Sequence, residues 1–255
     1  MDFRKVFDLI PEEFDRNRPR YCGEAFEYIF RETGLGMGKT VLEIGPGTGQ
    51  ATESLLKSGC GYTGLELGEH LYDFLLRRFA GAENARFVNG DFCTWDFGDT
   101  KFDTVFSAAT IQWIPEKIAF SRSFDLLNPG GYLVMIANIG DDLARNSREL
   151  VEAKNAIYDR YFRPEIPYTC KIDKHAVVNY GFETPTVADF TYDTDMTAVE
   201  YVRMAMTNAD HILLKEPYRS AFTEGLRKAV NAHGGVWRRH DRVNVVIARK
   251  PEKIG

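Results

Sequence analysis

Long apolar runs are missing from this chain of 255 residues. None approaches the roughly 18 residues that span a bilayer, and the best stretch, Tyr132 to Ile139, is broken by Asn138. No membrane partner is therefore expected. The opening Met1 to Pro11 scatters Asp2, Arg4, Lys5 and Asp8 among its apolar residues; it lacks the continuous apolar core of a secretory signal, and a cytoplasmic location is expected. Cysteine is scarce as well. Cys22, Cys60, Cys93 and Cys170 are 38, 33 and 77 residues apart, far from the close spacing of a zinc knuckle, and a reducing cytosol disfavours disulfides. No metal site is expected, and the four read as small apolar residues. An excess of basic charge is also absent: 32 Lys and Arg against 37 Asp and Glu give a net charge of −5. Nucleic-acid phosphates demand clustered Lys and Arg, so a small molecule is the expected partner.

What is present is an ordinary globular composition, 44% apolar and 27% charged, on a chain long enough to bury roughly 70 to 75% of its unfolded surface. Gly23 to Thr33 places Phe26, Ile29 and Phe30 at helical spacing and runs into Gly34, Gly36 and Gly38, which predicts a helix and its end. Short apolar runs then alternate with helical patterns. Strands are expected at Thr40 to Ile44, Tyr62 to Leu65, Arg86 to Val88, Phe102 to Phe106 and Tyr132 to Ile136. Between them lie the helix-like Gln50 to Lys57, Leu71 to Phe79 and Pro115 to Leu127, with a turn at Pro129-Gly130-Gly131. This alternation signals βαβ units and a parallel sheet covered on both faces. Beyond Leu143 the pattern is less regular: helices are expected at Leu143 to Phe162, Thr197 to Met206 and Tyr218 to Ala232, and strands at Thr186 to Tyr192 and Val243 to Ala248. The sequence suggests a single domain over 1–255. It divides into an N-terminal helical lid (1–38), a cofactor-binding core (39–139), and the end of the sheet with inserted cap helices (140–255).

The strongest local signal is Glu43-Ile44-Gly45-Pro46-Gly47-Thr48-Gly49-Gln50, a strand running into three alternate glycines and then a helix. Such a turn lets a ligand lie against backbone N–H groups at the carboxyl edge of a doubly wound sheet. A nicotinamide or flavin loop would place its third glycine where Gln50 stands, and Lys39 precedes a strand where a phosphate-binding P-loop needs it to open a helix. Glu66 and Asp91 follow the next two strands, 23 and 25 residues on, about one βα unit each, so with Glu43 three carboxylates can line one sheet edge. Glu66 can accept from both hydroxyls of a ribose. Asp91 can take the exocyclic amine of an adenine packed against Leu67 and Phe92, and Glu43 suits a cationic ligand. Three acids argue against a pyrophosphate.

Together the Glu43 to Gly49 loop, Glu66, Asn89-Gly90-Asp91-Phe92, Phe102-Asp103-Thr104-Val105-Phe106-Ser107 and Leu127-Asn128-Pro129-Gly130-Gly131 resemble the class I S-adenosylmethionine-dependent methyltransferases. The resemblance covers about Lys39 to Ala137. It implies a Rossmann-like α/β fold with a seven-stranded sheet, parallel except for the last strand, and S-adenosyl-L-methionine as cofactor. It also implies Gly45, Gly47 and Gly49 on the methionine and ribose portion, Glu66 on the ribose hydroxyls, and Asp91 with Phe92 on the adenine. Ala108 to Pro115 is similar to the segment after the fourth strand in the small-molecule branch that includes trans-aconitate and malonyl-carrier-protein methyltransferases. Phe14 to Tyr21 resembles an opening segment of that branch in which an aromatic residue, here Tyr21, folds over the cofactor.

Methyl transfer from a sulfonium mainly requires positioning, and a carboxylate acceptor, already ionised, needs no base. Members of the superfamily that methylate nucleic-acid bases or protein glutamine carry Asn or Asp, Pro-Pro and an aromatic after strand four; here Ser107-Ala108-Ala109-Thr110 stands there. Gln112 and Trp113 are expected at the mouth of the site, on acceptor or methionine, or else with Trp113 packed under the next helix. His211 is the histidine best placed for a base or an anion contact, its alternative being an exposed surface residue. The expected activity is methylation of a small molecule, most plausibly at a carboxylate oxygen, by a monomer or homodimer. The alternatives are a non-catalytic S-adenosylmethionine-binding module or partner subunit, and more remotely a nicotinamide oxidoreductase.

Overall fold

The computed structural model describes residues 2–252. Seven strands form one sheet: β1 (Thr40–Ile44), β2 (Gly61–Glu66), β3 (Ala85–Asn89), β4 (Phe102–Ala108), β5 (Leu127–Gly140), β6 (Thr186–Thr197) and β7 (Val236–Arg249). Their order is β3-β2-β1-β4-β5-β7-β6, and all run parallel except β7. The reversal shows in reciprocal bonds, Gly130 N–H to the Lys250 carbonyl (3.1 Å) and Lys250 N–H to that of Gly131 (2.8 Å). The helices are α1 (Pro11–Asn17), α2 (Gly23–Thr33), α3 (Thr52–Lys57), α4 (Glu69–Arg78), α5 (Glu116–Leu126), α6 (Arg148–Tyr161), α7 (Ala198–Ala205), α8 (Ala209–Ile212) and α9 (Tyr218–Ala232), with 3-10 turns at Phe3–Leu9, Ile111–Trp113 and Lys174–Tyr180. The expected α/β architecture is thus observed.

Two compact units are distinguished. One comprises Arg20–Asn138, Cys170–Phe190 and Val243–Gly255; the other comprises Met1–Pro19, Ile139–Thr169 and Thr191–Arg242. The partition breaks between 138 and 139, beside the expected edge of the core, and again between 19 and 20, inside the expected lid. In the first unit, β1 and β4 are buried on both faces, as a central parallel strand requires; Leu42, Ile44, Val105, Leu133 and Val246 are among its buried core. In the second, α6, α7 and α9 turn Leu150, Tyr201, Phe222 and Leu226 inward, and Tyr201 stacks on Trp237 at 4.2 Å.

In the sheet, expectations shift for physical reasons at β5 and β7. The Pro129-Gly130-Gly131 turn lies inside β5 as an irregularity, because Phe102 pairs with Leu127 but Thr104 with Tyr132; Gly130 takes φ 76° to accommodate the extra residues. Strand β7 begins at Val236, seven residues before the expected Val243. Its polar start is tolerated because the fully buried Asp241 is held in a two-pronged pair by Arg239 at 2.5 and 2.6 Å.

Candidate cofactor site

The loop after β1 reverses the chain through left-handed backbone at Gly45 (φ 62°), Gly47 (φ 63°) and Gly49 (φ 91°). Space as well as conformation demands glycine: a Cβ on Gly45 would come within 2.5 Å of the Thr110 methyl, and one on Gly49 within 2.5 Å of the Phe79 ring. Gly45 N–H donates to the Leu65 carbonyl at 2.9 Å, carrying the β1–β2 ladder into the loop. Thr110 Oγ1 reaches back to the Gly45 carbonyl at 3.1 Å, tying the segment after β4 to the same turn.

Glu66, at the end of β2, is 5% exposed. Its Oε2 accepts from Gly47 N–H at 2.8 Å and its Oε1 from Gly68 N–H at 3.0 Å. One carboxylate therefore orders both the glycine loop and the turn opening α4. A carboxylate can accept about four hydrogen bonds, so two backbone donors do not exhaust it. Asn89 donates to the Glu66 carbonyl at 2.9 Å, and Gly90 N–H does so at 2.8 Å, which fixes the ends of β2 and β3 together. Neither role was read from the sequence; a polar residue closing a buried strand is the available signal.

Glu43 departs from its expected place. It is fully buried, and its Oε2 accepts from Thr52 Oγ1 at 2.7 Å and Tyr62 OH at 2.6 Å. Burial pushes its carboxyl up to about 7; the two hydroxyl donors oppose this and the neighbouring Glu66 charge adds to it. Tyr62, equally buried, is itself held well above the ordinary phenol range by burial and by Glu43. The three acids thus are not equivalent: Glu43 belongs to an internal Glu-Thr-Tyr cluster, with Thr52 and Tyr62 as partners that polar positions in otherwise apolar surroundings could have flagged. Its Oε1 is buried without a hydrogen-bond partner, as is Ser107 Oγ on the neighbouring β4, and native interiors rarely leave such atoms unsatisfied.

Asp91 is half-buried and caps its own turn, Oδ1 accepting from Cys93 N–H at 2.9 Å. Leu67 is half-buried too. Phe92 is a correction: expected against an adenine, its ring is 4% exposed in the core, edge-on to Phe97 and under the Arg122 guanidinium. Ala108 ends β4, half-buried and paired with Ile136. Ala109 then adopts φ 53°, a conformation strained for a residue with a Cβ. Gln112 is half-buried and donates to the Ala109 carbonyl at 2.8 Å, which braces that turn; Trp113 is half-buried beside it. Tyr21 sits before α2, half-buried and edge-on to Phe26 at 6.4 Å. All of these lie in one unit.

His211 belongs to the other unit. It is 5% exposed, not a surface residue. Its Nδ1 faces Asp210 Oδ1 at 2.7 Å and its Nε2 faces Tyr158 OH at 3.0 Å, with the Phe162 ring 4.3 Å from its own. Burial opposes ionisation of Asp210, but the His211 ring outweighs it among other contacts and the carboxyl is lowered. With both nitrogens engaged, the ring is poorly placed to serve as a base.

The first unit's residues fit an adenosyl sulfonium. The loop offers a backbone cradle that side chains cannot fill, Glu66 stands beside it, and Glu43 presents a buried oxygen with no hydrogen-bond partner. Among the described residues no cluster of three or more His, Cys, Asp or Glu could hold a metal, and no helix is long and apolar enough to cross a membrane.

Residues 41–131 match the family model of a methyltransferase domain. Demethylmenaquinone methyltransferase of Tropheryma whipplei is 24% identical over 204 residues, 77% of this chain and 80% of that protein. Ribosomal RNA small subunit methyltransferase A of Pseudomonas fluorescens is 32% identical over 198 residues, 77% of this chain and 70% of that protein. Among solved structures, phosphoethanolamine N-methyltransferase 2 of Haemonchus contortus in complex with S-adenosyl-L-methionine superposes with a TM-score of 0.56 at 20% identity, covering 99% of this chain and 58% of that one. With a methyltransferase relative at this identity across most of its length, and with the cradle its cofactor needs, the chain belongs to the class I S-adenosylmethionine-dependent methyltransferases.

Proposed function

We propose that the protein transfers the methyl group of S-adenosylmethionine to a carboxylate oxygen of a small molecule. One observation carries the acceptor reading: from Ser107 to Pro115, the segment after β4, no side chain is ionisable, and the amide of Gln112 is spent on bracing Ala109. An amine or phenol acceptor calls for a proton acceptor nearby, whereas a carboxylate is ionised at neutral pH. The cofactor supplies an activated methyl, and the new O–C bond forms as the S–C bond breaks with its electron pair going to sulfur, so no proton changes hands.

In this reading Gly45, Gly47 and Gly49 hold the methionine and ribose portions, and Glu66 takes the ribose hydroxyls. Asp91 and Leu67 meet the adenine, the latter in place of the buried Phe92 ring. Glu43 faces the positive end of the cofactor from below. Ala108 adds to the cofactor's surroundings, Gln112 and Trp113 border the acceptor, and Tyr21 covers the cofactor. The ribosomal RNA named for one relative does not carry over: net charge is −5, and the Asn or Asp, Pro-Pro and aromatic run is absent after β4. The small-molecule branch named for trans-aconitate and malonyl-carrier-protein enzymes stays part of the proposal.

The test is methyl-labelled S-adenosylmethionine with panels of carboxylic acids, phenols, amines and RNA. Label that base releases as volatile methanol marks an ester. Base-stable label on an amine, phenol or RNA sinks the carboxylate reading, and tight cofactor binding with no transfer to any panel favours a binding module.

A further inference from the structure

The second unit contains a cavity of about 630 Å³ where β5 ends and α6 passes. Its wall carries both signs of charge: Asp141 and Asp142 from the end of β5, Lys154 from α6, and Arg242 from β7, beside apolar surface from Ile139 and Leu143. Ligands of doubly wound sheets bind beyond the carboxyl ends of parallel strands, and Asp141 and Asp142 follow directly on such an end.

Lys154 is the best-fixed of these groups. Its side chain is 16% exposed and its Nζ lies 2.5 Å from Asp142 Oδ2. The same ammonium sits 5.4 Å from the Tyr158 ring and 5.9 Å from the Trp237 ring, and Tyr158 is itself pinned by His211. A charge held this way needs no reordering when a ligand arrives. His240, also on the wall, is turned to Asp193 at 2.6 Å.

An intact Asp142–Lys154 pair is nearly neutral, so a simple anion or cation placed against it meets attraction and repulsion together. A ligand with one charge of each sign, set head to tail, gains from both partners. We propose that this cavity binds the zwitterionic head of an amino-acid-class molecule, with carboxylate toward Lys154 and Arg242 and ammonium toward Asp142 and Asp141. Ile139 and Leu143 then offer the side chain its apolar surface. The inference goes beyond the proposed function: it assigns a ligand class to a cavity of the second unit and does not depend on the transfer reading.

The test is calorimetry on the full chain saturated with S-adenosylhomocysteine at neutral pH. The probes are L-phenylalanine and L-leucine, the N-acetyl form of each, which is only anionic, and the methyl ester of each, which is only cationic. Saturable binding of a zwitterion, with both blocked forms at least tenfold weaker, is expected. Lys154→Met and the exposed Arg242→Ala should each weaken it at least tenfold while S-adenosylhomocysteine affinity, the check on folding, is unchanged. Equal binding of the three forms, or no binding of any while the nucleoside still binds, overturns the proposal. Zwitterion binding without ester formation supports this site and counts against the transfer reading alone.

Discussion

Replacing Glu43 by Gln should make the protein more stable as pH rises, and the size of the gain follows from the structure. Folding carries the Glu43 carboxyl from its ordinary 4.5 to about 7, first because it is wholly buried. A carboxyl raised by folding contributes its stability in full below the unfolded value and loses it as pH climbs through the folded one, because the native state then binds the extra proton. At about 1.36 kcal/mol per pKa unit, ionising Glu43 in place costs about 3 kcal/mol between pH 4.5 and pH 7. Gln has the same shape, keeps an oxygen for Thr52 and Tyr62, and carries no charge at any pH. Its amide leaves N–H donors where Oε1 has no partner, a constant penalty of about 1 to 3 kcal/mol that shifts the curve without tilting it. Urea unfolding of both proteins without cofactor, at half-unit steps from pH 4.5 to 8, should show the difference between them moving in favour of Gln by about 3 kcal/mol and then levelling. Parallel curves would mean that Glu43 does not titrate in this window, and the argument from its burial would fail.

Glu66→Ala should weaken cofactor affinity by about one to two powers of ten by calorimetry, since it removes a charge-assisted acceptor worth roughly 1.5 to 3 kcal/mol per bond; unchanged affinity would show that the ribose is held elsewhere. Gly49→Ala should lower the unfolding midpoint, costing more than about 1 kcal/mol because the residue sits at positive φ and its Cβ meets Phe79; adding Phe79→Ala should return the steric part only. Thr110→Val keeps the shape but deletes the bond to the Gly45 carbonyl. It should raise the KM for S-adenosylmethionine several-fold with little change in kcat, and a fall in kcat alone would place Thr110 on the acceptor instead. His211→Leu should reduce thermal stability but leave turnover per folded molecule within about twofold; a fall of about a hundredfold or more would restore His211 as a base.

The first half of the fold was legible because its central strands are buried on both sides and its helices pack along one face. That leaves short runs such as Val41 to Ile44, apolar but for Glu43, between glycine and proline punctuation, and α2 and β1 appear at their expected bounds. After residue 140 the same rules read poorly. Strand β6 alternates between exposed and half-buried residues along its length, so it lacks an apolar run, and the start of β7 buries an aspartate that a sequence pattern assigns to solvent. The 14 residues of α6 start at Arg148 rather than Leu143 because Ser147 caps them, its side chain accepting from Leu150 N–H, a start signal that the apolar Leu143 obscures.

Site residues divided along a similar line. Spacing alone could bring Glu43, Glu66 and Asp91 to neighbouring strand ends, but not say which way each carboxylate turns. That direction depends on whether the next strand offers a hydroxyl. Tyr62 and Thr52 draw Glu43 inward, whereas Glu66 accepts from the backbone N–H groups of Gly47 and Gly68 and stays beside the loop. The consequence is testable by exchange: Tyr62→Phe removes the shorter of the two donors to Glu43, raises its pKa further, and should destabilise the protein more at pH 8, where the bond is charge-assisted, than at pH 5. Chemical unfolding at the two pH values would read the difference, about 1 to 2 kcal/mol. An equal loss at both would place the partner of Tyr62 elsewhere and leave the inward turn of Glu43 without a cause.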